Sequence, residues 1–192
     1  SESQMLGIVV RQSAVLEDRT PYLGEWREIS ILRGIKASGN EGRLICSSFD
    51  HYAGLQRGPQ EKATFYERVF LKSPGYSNTS SIFRIIDAWI FSIKLFMYLF
   101  KHRHSIDFVV VSYPTPESSF VVSLLSHYMR VYVDVRDAWP HVFDIKGFKK
   151  IIFNIYCDSL FKFISLVISN RVAINSVMLL LLSKIGETVV LK

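Results

Sequence analysis

Between residues 133 and 141 the chain reads VDVRDAWPH, so that Asp134, Arg136, Asp137, Trp139 and His141 leave one apolar strand in close succession. Structural ion pairing accounts for some of these charges. It does not readily account for carboxylates, a guanidinium, an indole and an imidazole at a single strand end, the place where open parallel sheets bind ligands. A carboxylate there can accept a hydrogen bond or a proton from a substrate hydroxyl, which makes Asp137 the catalytic candidate. Arg136 suits an anionic phosphate or an ion pair that holds Asp137, and His141 joins it as a substrate-binding candidate. A second loop, SYPTPE (112 to 117), offers the hydroxyls of Ser112, Tyr113 and Thr115 to a ligand. The competing reading is a rigid strand-to-helix turn with proline near the helix start. Glu25 and Arg27, at the entry to the first helical stretch, complete the substrate-binding set.

Other chemistries find less support. No GxGxxG follows the first strand and no GxxxxGK[ST] occurs, so no nucleotide cradle is expected within this segment. The HRH triplet at 102 to 104 follows a helix C-terminus, where cationic residues are favoured anyway, and no metal site is expected. Ser126 beside His127 carries no triad, because adjacent residues rarely face each other. Cys46 and Cys157 lie far apart without a CxxC, which fits a reducing compartment better than a disulfide framework.

These residues must be held by elements that the hydrophobic pattern locates. LGIVV (6 to 10), RLICSSF (43 to 49), ERVFL (67 to 71), IDFVVVS (106 to 112), RVYVDV (130 to 135) and a run near 167 to 174 read as strands. Helical periods lie over EWREISILRGIKAS (25 to 38), about Ser80 to Lys101, about Glu117 to His127, 147 to 164 and Ser176 to Lys184, with VVL as a last strand. Continuously apolar strands alternating with helices predict an α/β fold, a Rossmann-like three-layer parallel sheet flanked by helices. Residues 5 to 192 form one domain in this reading, and residues 1 to 4, preceding Met5, are taken as an expression remnant.

The chain has 192 residues, 49% apolar and 21% charged, with a formal net charge of +6, which excludes wholesale disorder. Seven basic residues against two acidic ones fall between 146 and 192, so the excess charge is concentrated in the last quarter. The basic residues are not interleaved in a nucleic-acid reader motif, and no nucleic acid is expected as a partner. The segments IFRIIDAWIFSIKLFMYLFK and IIFNIYCDSLFKFISLVI are broken by charges before the roughly 20 residues a bilayer crossing needs. On the first of them Arg84, Asp87, Lys94 and Lys101 share one stripe, and both segments read as heavily buried or interface-lying helices. An anionic membrane surface is therefore an expected partner.

VDVRDAWPH resembles the D-[IV]-R-D-x-W-P signature of bacterial family 4 glycosyltransferases, retaining enzymes of GT-B fold that build O-antigen, other lipopolysaccharide parts and capsule. GEWREISILRGIKASGNEGRLICSSFDH resembles their first helix, the following strand and an SxFxH turn. FLKSPGYSNTSSIFR and DFVVVSYPTPE are similar to two further stretches of the family, in the same order along the chain. The segment VRQSAVLEDRTPYLGEW departs from the pattern, being poorer in glycine than the approach to substrate in relatives. The resemblance implies the N-terminal, acceptor-binding half of a glycosyltransferase of hexosyltransferase type. Its nucleotide-sugar donor would be held by a C-terminal domain that the sequence does not contain, so the chain alone is expected to be inactive. The implied acceptor is a polyprenyl-diphosphate-linked saccharide, and the implied location is cytoplasmic, peripheral on the inner face of the plasma membrane. Transfer of this type needs no protein nucleophile in this domain, which leaves Asp137 to orient the acceptor or take its proton. The reading from another class is a non-enzymatic α/β binding or membrane-associated module.

Overall fold

Strands without a polar face must be covered on both sides, and here they lie side by side as a six-stranded sheet in the order β5 (Glu67–Leu71), β2 (Glu41–Ser47), β1 (Leu6–Val10), β6 (Phe108–Tyr113), β7 (Arg130–Val135), β8 (Arg171–Ala173), every pair parallel. The structure is a computed structural model and describes residues 4–14, 26–57, 65–77, 82–113, 115–136, 147–168 and 171–173. Between the strands run the helices α1 (Arg27–Ala37), α2 (Ile82–Lys101), α3 (Pro116–Ser123) and α4 (Phe148–Val167). The α/β, Rossmann-like three-layer reading is thus what the chain forms. Two elements were not expected: the two-residue strands β3 (Phe49–Asp50) and β4 (Leu55–Gln56), which pair antiparallel as a small hairpin after β2. α3 stops at Ser123, short of the expected His127, and turns carry the chain to β7. The helix expected at Ser176 to Lys184 and the final VVL lie outside the described residues.

The period of two along each strand sorts side chains between two cores. Ile8, Val10, Ile45, Val109, Val111, Val131, Val133 and Val135 pack with Phe91, Leu95 and Leu99 of α2, with α3, and with Ile164 of α4. Val9, Leu44 and Cys46 point the other way, onto Ile29, Leu32 and Ile35 of α1. One face of the sheet therefore carries α1, and the other a layer of α2, α3 and α4. From β1 the strand order runs outward through β2 and β5, then returns to the other side of β1 with β6, so the switch point of the sheet lies between β1 and β6. Ligands of open α/β sheets bind beyond the carboxyl ends at such a point.

The stripe of Arg84, Asp87, Lys94 and Lys101 divides, with Lys94 and Lys101 exposed on α2 and Asp87 turned inward. Asp87 is fully buried, whereas Ile82, Phe83, Ile86, Ile93 and Met97 are exposed. The cause is local: Gln12 Nε2 donates to one Asp87 oxygen at 2.9 Å and the backbone N–H of Gly75 to the other at 2.6 Å, which draws the carboxylate inward. Gly75 has φ +80°, and a Cβ there would collide with the Phe49 ring, so only glycine can bring its N–H to this place. On α4 the exposed side is again apolar, with Phe148, Ile151, Ile152, Ile155 and Leu166 open to solvent. Among the described residues no helix is long and apolar enough to cross a membrane.

Candidate functional site

β1 ends by sending two polar side chains to opposite faces of the sheet. Arg11 goes to the α1 face, where its Nη1 donates to Glu28 Oε1 at 2.6 Å, and its guanidinium lies 5.5 Å from the centre of the Trp26 ring. Gln12 goes to the α2 face and meets Asp87. Each begins a polar cluster at the carboxyl edge.

On the α1 face, β7 contributes Asp134 and the residue after it in the same parity, Arg136. Arg136 donates from Nη2 to Glu28 Oε2 at 2.8 Å and from Nε to Asp134 Oδ2 at 3.1 Å. Arg27, in the first turn of α1, donates from Nε to both Asp134 oxygens, at 2.9 and 3.0 Å. Glu28 is fully buried and Asp134 nearly so, whereas the Arg27 side chain is 39% exposed. The result is a chain of three guanidiniums joined by two carboxylates, spanning the ends of β1 and β7 and the start of α1. Arg27 and Arg136, expected as substrate-binding residues, are brought together here. The described ion-pair partners of Arg136 are Glu28 and Asp134; the pair expected with Asp137 involves a residue outside the described ones. Asp137, His141 and Glu25 lie outside the described residues.

The loop after β6 divides. Ser112 pairs in register with Asp134, and its side chain is buried; Thr115 is half-buried and its hydroxyl donates to the Ser112 carbonyl at 3.1 Å. Thr115 thus serves as part of the strand-to-helix turn that was the competing reading. Tyr113 corrects the expectation that all three hydroxyls face a ligand. It occupies the opposite parity, so its ring enters the α2–α4 core at 1% exposure and stacks edge-on against Phe161, with centroids 5.3 Å apart. Its hydroxyl has no hydrogen-bond partner among the described residues, and burial pushes its pKa well above the usual phenol range.

Beneath α4 a neighbouring carboxyl, Glu117, accepts a hydrogen bond from the Tyr156 hydroxyl at 2.6 Å. Burial raises the Glu117 pKa, and the Tyr156 hydrogen bond only partly offsets it. The Cys157 thiol beside it is pushed up to about 12, chiefly by burial, and the same holds for Cys46 in the other core. Neither cysteine is bonded to another.

The cluster on the α2 face was missed as a site, although its residues Ser47, Phe49, His51 and Tyr76 lie within stretches quoted for the resemblance. His51 Nδ1 and the Tyr76 hydroxyl are in direct hydrogen-bonding contact, beside Phe49 and Tyr52. Burial, with Arg84 nearby, lowers the His51 pKa against the opposing pull of Asp50, which favours a neutral imidazole. Ser47 and Ser73 hydroxyls bond each other at 2.6 Å underneath. Glu28 and Arg11 were missed as well. The available signal was a glutamate one residue from Ile29 on the apolar face of α1, a place that an unpaired charge does not occupy. Among the described residues no group of His, Cys, Asp and Glu is arranged to hold a metal ion.

The class these features define is a parallel α/β protein with polar clusters at the carboxyl edge beside its switch point. Compared with known proteins, the chain matches no family model and no curated protein.

Proposed function

We propose that this chain is the acceptor-binding domain of a retaining glycosyltransferase that moves a sugar from a nucleotide donor to a lipid-linked saccharide in surface polysaccharide synthesis. The observation that carries the reading is the pair of polar clusters at the carboxyl edge, one on each side of β1, in the place where an open α/β sheet receives ligands. The guanidinium cluster suits a phosphate-bearing substrate. The His51–Tyr76 pair, with a neutral imidazole, suits hydroxyl groups. Asp137 follows directly on Arg136, whose side chain is fixed by two carboxylates, and is assigned orientation of the acceptor hydroxyl or acceptance of its proton. The nucleotide-sugar donor belongs to a second domain in this reading, and the cleft between the two would align the reactants.

Attachment to the inner face of a bacterial plasma membrane completes the proposal. It is supported by the apolar outer sides of α2 and α4, with the exposed Lys94, Lys101, Lys150 and Lys162 on the same helices. The testing experiment is Asp137→Asn in an enzyme that joins this chain to its donor domain. Transfer falls on the order of 100-fold or more while thermal stability barely moves. An active variant, or one lost only through unfolding, makes Asp137 structural and favours the binding-module reading.

A further inference from the structure

The α1-face cluster holds more positive charge than its own carboxylates use. All four oxygens of Glu28 and Asp134 are engaged, by Arg11, Arg136 and Arg27. Among the described residues, three guanidiniums against two carboxylates leave a formal excess of one positive charge. An arginine carries five N–H donors, and Arg27 spends only its Nε on Asp134, so its terminal nitrogens have no partner among the described residues. Arg27 is also the most open of the three, at 39% against 17% for Arg11 and 15% for Arg136. Arg27 satisfies Asp134 Oδ1, which no other described donor reaches, yet it does so through Nε alone and keeps its terminal nitrogens at the open side of the cluster. The buried carboxylates hold all three guanidiniums in place before any anion arrives, and Arg27, gripped through Nε alone, has its terminal nitrogens available. The cluster further stands at the start of α1, whose dipole favours negative charge.

We propose that Arg27, with Arg136 and Arg11 behind it, forms a preorganised receptor for a phosphate-class anion, of which a diphosphate is the best match to several outward N–H groups. Glu28 and Asp134 are its positioning residues. The inference deepens the acceptor-site reading by naming the chemistry recognised at that edge. It rests on that reading only for the biological source of the anion.

The test is calorimetric titration of the full chain with inorganic pyrophosphate, and in a second arm with farnesyl diphosphate, in low-salt chloride buffer. Saturable pyrophosphate binding near one per chain is expected, weakened about tenfold or more by Arg27→Gln without a change in Tm, and untouched by Lys36→Gln in the last turn of α1. Tighter binding of the lipid diphosphate, weakened by the same Arg27→Gln, supports the site with a lipid-linked source; equal binding supports it with a free phosphate. Absence of saturable binding, retention in Arg27→Gln, or equal loss in Lys36→Gln overturns it. Loss of pyrophosphate binding with sugar transfer intact removes this site alone, whereas pyrophosphate binding without transfer removes the enzymatic reading alone.

Discussion

Glu117 shows how a single buried group makes the fold sensitive to pH. The residue is 4% exposed, its carboxyl faces the hydroxyl of Tyr156, and Tyr113, Cys157 and Arg84 are titratable neighbours. Burial raises its pKa in the folded protein above the ordinary carboxyl value, so the folded state holds the proton more tightly than the unfolded chain. The sign follows from linkage: the stabilisation is complete below the unfolded pKa and is lost as pH rises through the folded one. Melting temperatures followed upward from about pH 4 should therefore fall more steeply for the native chain than for Glu117→Gln, whose amide does not ionise. Parallel curves would mean that Glu117 does not change its protonation on folding.

At the scale of elements, α2 has two apolar sides with different consequences. Phe91 is fully buried in the larger core, and Phe91→Ala should cost about 3–5 kcal/mol in denaturant unfolding. Met97 is 64% exposed, and Met97→Ser should stay within about 0.5 kcal/mol. If the outward side attaches to a membrane as proposed, a chain carrying Ile93→Ser, Met97→Ser and Ile155→Ser should lose sedimentation with anionic vesicles at unchanged Tm. The native chain should pellet less with neutral lipid and less at high salt. Equal pelleting with neutral and anionic vesicles counts against the electrostatic part. Much of this architecture is legible in the sequence, because the parallel strands are continuously apolar and the helices are periodic. The face assignments are not. Whether Tyr113 or Ser112 looks toward a ligand depends on which side of β6 receives α4. Whether Asp87 turns outward depends on Gln12 and Gly75, distant in sequence. The same limit hid the larger site: Arg136 stood out in VDVRDAWPH, but its partner Glu28 lies 108 positions away, in a helix legible only as amphipathic.

For the whole molecule, the sheet order decides what the clusters can do together. Because β1 lies at the centre of the order β5-β2-β1-β6-β7-β8, its last residues can reach both faces, and Arg11 and Gln12 tie the two clusters to one strand end. A substrate crossing that edge would meet guanidiniums on one side and the His51–Tyr76 pair on the other, an arrangement suited to an anionic group followed by hydroxyls. The most direct measurement is equilibrium binding of a farnesyl-diphosphate-linked hexose to the chain, beside a panel of sugar nucleotides. The acceptor reading predicts saturable binding of the lipid-linked sugar, weakened by Arg27→Gln and by salt, and no comparable binding of any sugar nucleotide. Tight binding of a sugar nucleotide with none of the lipid-linked sugar would contradict it.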